Sequence, residues 1–273
     1  MKESGKDVWV LWFSLPLAAL VIFVSVTGLG TPGFYAGETV NWQAQAVGQD
    51  FIDLFIAVPA LLVSAVFAYN KKKAAILVWG GVIAYLLYTF LIYCFAVHFN
   101  RLFIFYCLTL GLSFYSLCWF LFSRLSRPSP VVHFSAVPHR IIGIYFIVFA
   151  ALFYFLWMAE IIPAIISGDV PKSVKETGLI TNAVHVIDLS VFLPGLFITG
   201  VLLLKRKIAG YMMAPVFLSF FVLMNITIGS LVLIMIQRGI EKSYGVAVVM
   251  GFLTIVSAGL LVWYVKRIKV SKN

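Results

Sequence analysis

Apolar positions in this chain do not recur with the short period of a soluble amphipathic helix or a half-buried strand. They come in long unbroken blocks separated by short polar connections. Eight such blocks stand out, at roughly 8–30, 51–70, 74–96, 101–123, 140–166, 179–204, 208–236 and 244–265. A hydrocarbon layer about 30 Å thick is crossed by about 20 apolar residues of helix. The pattern therefore predicts an all-α membrane protein with eight transmembrane helices. Lys2 and Lys6 precede the first block as they would a secretion signal. That block exceeds the usual signal core of about 7–15 residues, and no clear small-x-small cleavage site follows, so it is expected to be a retained span.

Composition sharpens this. Hydrophobic residues make up 63% of the 273 residues and charged residues 11%, against about 45–50% and about 25% in soluble domains. A soluble globule could not cover so much apolar surface, and a disordered chain needs the opposite balance. Cys94, Cys107 and Cys118 all lie in apolar stretches without a CxxC pair, as small hydrophobes do. The lipid bilayer is thus the first expected partner.

The net charge of +10 is unevenly distributed. Lys2, Lys6, Lys71, Lys72, Lys73, Arg124, Arg127, Arg140, Lys205, Arg206, Lys207, Lys266, Arg267, Lys269 and Lys272 fall on one side of the predicted topology. Only Arg101, Lys172, Lys175, Arg238 and Lys242 fall on the other. The rule that cytoplasmic loops are basic puts the first side, and with it both termini, inside a cell membrane. It also explains the basic balance without nucleic acid. Anionic lipid headgroups at the cytoplasmic face are the expected partners of this ring.

An internal echo runs through the chain. Residues 52–65 read IDLFIAVPALLVSA and residues 187–200 read IDLSVFLPGLFITG. Both segments run into a basic triplet, and each has an Asp six residues before a Pro: Asp53 and Pro59, Asp188 and Pro194. Asp and Pro are rare within apolar helices, so the match suggests a 4+4 parallel repeat. Its halves would be 1–123 and 140–273, joined by a cytoplasmic linker over 124–139 that carries Pro128, Pro130 and Pro138. Two halves of even span number share one orientation, so their symmetry axis would lie along the membrane normal.

The candidate chemistry sits at one predicted level, in the outer third of the membrane. Gln49, Asp50 and Asp53 share a helical face at the start of the second span, with Gln45 before them. Asn182, His185 and Asp188 form an i, i+3, i+6 row in the sixth. His98 and Arg101 flank the connection between the third and fourth, and Glu160 lies near the outer end of the fifth. A charge deep in a span costs roughly 2.5–3.5 kcal/mol on insertion scales, so such groups are expected to satisfy one another or to line a wet cavity. Plainer roles stand beside this. Asp50 and Asn182 occupy places where helix N-caps belong. Arg101 would neutralise an acid. Tyr85, Tyr88 and Tyr93 would serve packing or an interfacial belt, and Asn225 and Thr227 would bond across helices. His98, His185, Asp188 and Glu160 supply the donor types of a metal site, yet no HExxH spacing is present and the sequence names no cofactor.

The runs VGQDFIDLFIAVP, YCFAVHFNRLFIFY, FLWMAEIIPAIISGDVP and GLITNAVHVIDLSVFLPG resemble a group of uncharacterised multi-pass proteins from bacteria, across about residues 27–204. The resemblance rests on Gly48-Gln49-Asp50, Val97-His98-Phe99-Asn100 and Val184-His185-Val186-Ile187-Asp188-Leu189; Ala183 stands where that group often has Pro. It implies a multi-pass fold and no activity.

The leading functional expectation is a transporter or small-ligand-binding protein. Its outward-facing polar pocket would lie among spans 2, 3, 5 and 6, with Asp53 and Asp188 coupling to protons or cations, and its partner would be an unidentified small molecule or ion. The alternatives are a membrane-embedded, metal-dependent enzyme acting at the outer leaflet through His98, His185, Asp188 and Glu160, or an accessory or sensory protein whose polar groups pair internally and leave no cavity.

Overall fold

The computed structural model describes residues 7–70, 72–125, 132–133 and 137–270. Helices α1 (Val8–Gly30), α2 (Val40–Tyr69), α3 (Lys73–Ala96), α4 (Phe103–Leu125), α5 (His139–Ser167), α6 (Lys172–Thr177), α7 (Ala183–Leu204), α8 (Ile208–Gln237) and α9 (Gly245–Arg267) follow in chain order. A two-residue antiparallel pairing joins Val132–His133 to Lys269–Val270. All of these helices except α6 are long and apolar enough to cross a membrane, which makes this a multi-pass membrane protein. Part of the Pro-rich 124–139 segment, including Arg127, Pro128 and Pro130, and the charges Lys2, Glu3, Lys6, Lys71 and Lys272 lie outside the described residues.

The outer surface suits lipid rather than water. Trp12, Phe155, Ile166 and Ile255 are each more than 70% exposed, and apolar surface on this scale marks contact with a membrane or a partner. Helix α3 is the most enclosed span, 67% buried over its apolar window, and α9 the least, at 11%. Helices α3 and α8 cross at the centre. Around them α3 packs on α2 and α4, and α8 packs on α2, α7 and α9. Helix α5 lies against α7, and α1 against α2 and α4. No hydrophobic driving force acts between helices in lipid, so close backbone approach matters. Gly81 of α3 permits it: a Cβ there would collide with the Val216 carbonyl and the Ser219 side chain. Gly143 and Gly200 do the same between α5 and α7, each facing the other's carbonyl.

Two spans depart from regular helix at corresponding points. The backbone of α2 widens to a π-helix over Asp53–Ala57, and that of α7 over Asp188–Phe192. In each the Asp carbonyl accepts the N–H five residues on, from Val58 and Leu193. The next residue is Pro59 or Pro194, which has no N–H to give and whose ring would press on the carbonyl four residues back. Widening the turn relieves that clash, and π-bulges of this kind are frequent at functional sites.

Helix α2 starts at Val40, eleven residues before the expected boundary at 51. Its first three turns carry Asn41, Gln43, Gln45 and Gln49, which a hydropathy reading discounts. Thr39 caps this end, its hydroxyl accepting from Trp42 N–H. Contacts with α8 and α6 then hold the turn in place. Helix α7 starts at Ala183 rather than 179, with Asn182 as its cap, accepting from the N–H groups of Val184 and His185. Asp50 does not cap: it lies ten residues inside α2 and is fully buried.

Candidate intramembrane binding site

Helix α3 carries three tyrosines, each donating to a different buried aspartate. Tyr85 donates to Asp53 Oδ1 at 2.9 Å, Tyr88 to Asp188 Oδ1 at 3.0 Å, and Tyr93 to Asp50 Oδ1 at 2.7 Å. Tyr85 and Tyr88 are three residues apart, so neighbouring positions on one helix reach the acids of both π-bulged spans. Each acid has a second donor. Gln49 Nε2 donates to Asp53 Oδ1 at 2.9 Å, Trp157 Nε1 to Asp188 Oδ2 at 2.9 Å, and Tyr35 to Asp50 Oδ2 at 2.7 Å. Tyr35 lies in the connection between α1 and α2. Burial first, then the neighbouring Asp50, push its hydroxyl well above the ordinary tyrosine range, so it stays protonated and donates. Gly28 of α1 leaves the room for this pair, since a Cβ there would fall on Asp50 Oδ2.

Beside these acids is a cavity of about 420 Å³ lined by α2, α3, α5, α7 and α8, with residues of α6 and α9 also in its wall. Its polar lining includes Gln45, Gln49, Thr89, Asn182, His185 and Asp188, with Asn225 and Thr227 from α8. Most of the remainder is aliphatic or aromatic, including Trp42, Tyr88, Phe153, Trp157 and Phe192. A largely apolar wall with a few convergent polar groups is the usual make-up of a small-molecule site. Two lining groups lack a hydrogen-bond partner although nearly buried: Asn225 Nδ2, in a residue 2% exposed, and His185 Nε2, in a residue 6% exposed. The nearest acid to that imidazole is Glu160, at 3.7 Å, too long for a direct hydrogen bond. The His185 ring lies against Trp157, with centroids 4.5 Å apart.

The short helix α6 is tied beside the cavity by three links. Glu160 Oε1 accepts from Ser173 N–H at 2.8 Å, Asn182 Nδ2 donates to Ser173 Oγ at 3.2 Å, and Thr39 Oγ1 donates to the Glu176 carbonyl at 3.0 Å. Nothing in the apolar periodicity announced this element, because it is short and polar.

Of the residues singled out from the sequence, Gln49, Asn182, His185 and Asp188 line the cavity. Asp53 sits directly behind Gln49, Glu160 beside His185, and Asp50 one layer further back between Tyr35 and Tyr93. His98 and Arg101 belong elsewhere. His98 donates its backbone N–H to Glu38 Oε1 at 2.7 Å, and its Nδ1 is 2.8 Å from Glu38 Oε2. Arg101 donates to Thr31 Oγ1 and stands over the Phe34 ring, neutralising none of the expected acids. The four metal candidates therefore do not converge, and among the described residues no three His, Cys, Asp or Glu side chains gather as a metal site.

The sequence marked Tyr85, Tyr88 and Tyr93 for packing or an interfacial belt and did not single out Trp157 or Tyr35. Thr227 does bond across helices as expected, its Oγ1 2.8 Å from the Tyr85 hydroxyl. The available signal was the pairing of a tyrosine stripe on one span with mid-membrane acids on two others. Tyrosine is among the few residues that are apolar in body and a donor at the tip. Comparisons with protein-family models, with curated proteins and with solved structures found no match.

Proposed function

We propose that this protein is a transporter that binds a small molecule in the intramembrane cavity, with Asp53 and Asp188 as its proton- or cation-coupling groups. The observation that carries this reading is the cavity itself: a volume of about 420 Å³, within the range of small-ligand sites, whose wall contains an acid at a π-bulge and two polar groups without a hydrogen-bond partner. Discontinuous or kinked helices around a central site are how many transporters bind substrate and ion. The matching π-bulges at Asp53 and Asp188, each just before a proline, support the further reading of a 4+4 repeat with α2 and α7 as equivalent spans. The basic bias of one set of connections supports both termini lying in the cytoplasm, contact of that face with anionic lipid, and a cavity opening to the outside of a cell membrane.

A thermal-shift screen of small molecules on purified protein, run beside Ile228→Trp, tests the binding half. Ile228 lines the cavity, and an indole there narrows it. Compounds that stabilise the unaltered protein and not Ile228→Trp are the expected result; a screen without any such compound refutes a ligand site. For a compound found this way, uptake into proteoliposomes is expected to lose its dependence on a pH gradient in the Asp53→Asn, Asp188→Asn double variant. Unchanged coupled uptake removes both acids from the mechanism.

A further inference from the structure

We infer that the cavity takes an organic monocation, an amine or quaternary ammonium carried on an apolar or aromatic body. This deepens the ligand-binding reading above and rests on it. Among the described residues that line the cavity there is an acid, Asp188, and no Lys or Arg. A second acid, Asp53, stands behind Gln49 with its Oδ2 unpartnered, and a third, Glu160, stands behind His185. The one basic side chain at this wall is thus the His185 imidazole, which faces Glu160 rather than bonding Asp188, and membrane-buried acids are ordinarily paired.

The partners Asp188 does have are neutral. Tyr88 reaches Oδ1 and Trp157 reaches Oδ2, one donor on each oxygen. A carboxylate offers about four lone-pair positions, so each oxygen retains capacity for an ammonium N–H arriving from the cavity. The surroundings suit that visitor. Phe153 packs on Trp157 and Phe192 on Tyr88, so the two donors to the carboxylate belong to an aromatic wall, and such rings attract cations while accepting an apolar body. An anion would meet like charge at Asp188. A neutral ligand would leave that charge unanswered. The unpartnered Asn225 Nδ2 is a donor and offers a cation nothing; it would serve a hydrogen-bond acceptor elsewhere on the ligand.

The test uses full-length protein in phospholipid nanodiscs and three ligands of nearly equal shape: phenylbutylamine, phenylbutanol and phenylbutyrate. Calorimetric titrations are corrected by protein-free nanodiscs, which account for partitioning into lipid. The amine is expected to bind saturably and about tenfold more tightly than the alcohol or the acid. In Asp188→Asn it should fall to the level of the alcohol, and Ile228→Trp should bind none of the three. The ranking on unaltered protein decides the matter even where the Asp188 variant does not fold. Equal binding of all three, tighter binding of phenylbutyrate, or an amine preference that survives in Asp188→Asn overturns the cation assignment while leaving the ligand site standing. Absence of saturable binding for every ligand overturns the ligand site as well.

Discussion

The Tyr85–Asp53 contact gives the most direct test of the buried network, because the perturbation removes one atom. Tyr85→Phe deletes a hydroxyl that is 2.9 Å from Asp53 Oδ1 and 2.8 Å from Thr227 Oγ1, in a side chain with no exposed surface. Asp53, 1% exposed, keeps only Gln49 on that oxygen, and its other oxygen has no donor. In a soluble core, leaving such a group short of a partner costs about 1–3 kcal/mol. Between membrane helices the measured coupling averages about 0.6 kcal/mol and reaches about 1.7, because the unfolded reference state in lipid also finds partners. Burial and the unpartnered second oxygen place this pair towards the upper end, at about 1–1.7 kcal/mol. The assay is reversible SDS unfolding followed by circular dichroism, on Tyr85→Phe, Asp53→Asn and the double variant. The coupling energy is the departure of the double variant from the sum of the singles. A coupling indistinguishable from zero would show that Tyr85 and Asp53 are not bonded and would refute the role given to the α3 tyrosines.

Other expectations follow from packing. Gly28→Ala drives a Cβ onto Asp50 Oδ2 and close to the Tyr35 hydroxyl; overpacking of this kind costs about 1–3 kcal/mol, and the thermal melt should recover when Asp50→Ser is added. Gly81→Ala meets the Val216 backbone at the α3–α8 crossing and should lower the melting temperature sharply, whereas Gly111→Ala, with no atom within 4 Å of its added carbon, should leave it nearly unchanged. Pro194→Ala supplies the missing N–H to the Ser190 carbonyl and allows regular helix through the π-bulge at Asp188. Stability should hold or rise while binding of the best ligand weakens; unchanged binding would separate the bulge from the site.

Much of the architecture was legible before any coordinates. Eight spans followed from the length of apolar blocks, and the positions of Asp53, His185 and Asp188 as unusual groups followed from what surrounds them. The full early start of α2 was not legible, because Asn41 and Gln43 look like connection residues until α6 and α8 are seen beside this end of the helix. Nor was α6, which is short and polar and whose place depends on Glu160 and Asn182 to either side of it and on the distant Thr39. His98 carried the same chemical promise as His185 but is bonded to Glu38, just before the Thr39 cap of α2.

What the amino-acid order determined alone is local: which stretches must lie in lipid, where prolines break the hydrogen-bond ladder, and which acids sit too deep to be incidental. Each depends on neighbours within a few turns. Only tertiary packing decided which tyrosine meets which aspartate, that Asn225 and Thr227 belong to the cavity wall, and that Arg101 stays outside it. Those outcomes depend on how α3 and α8 cross, which Gly81 permits through contacts more than a hundred residues apart in the chain.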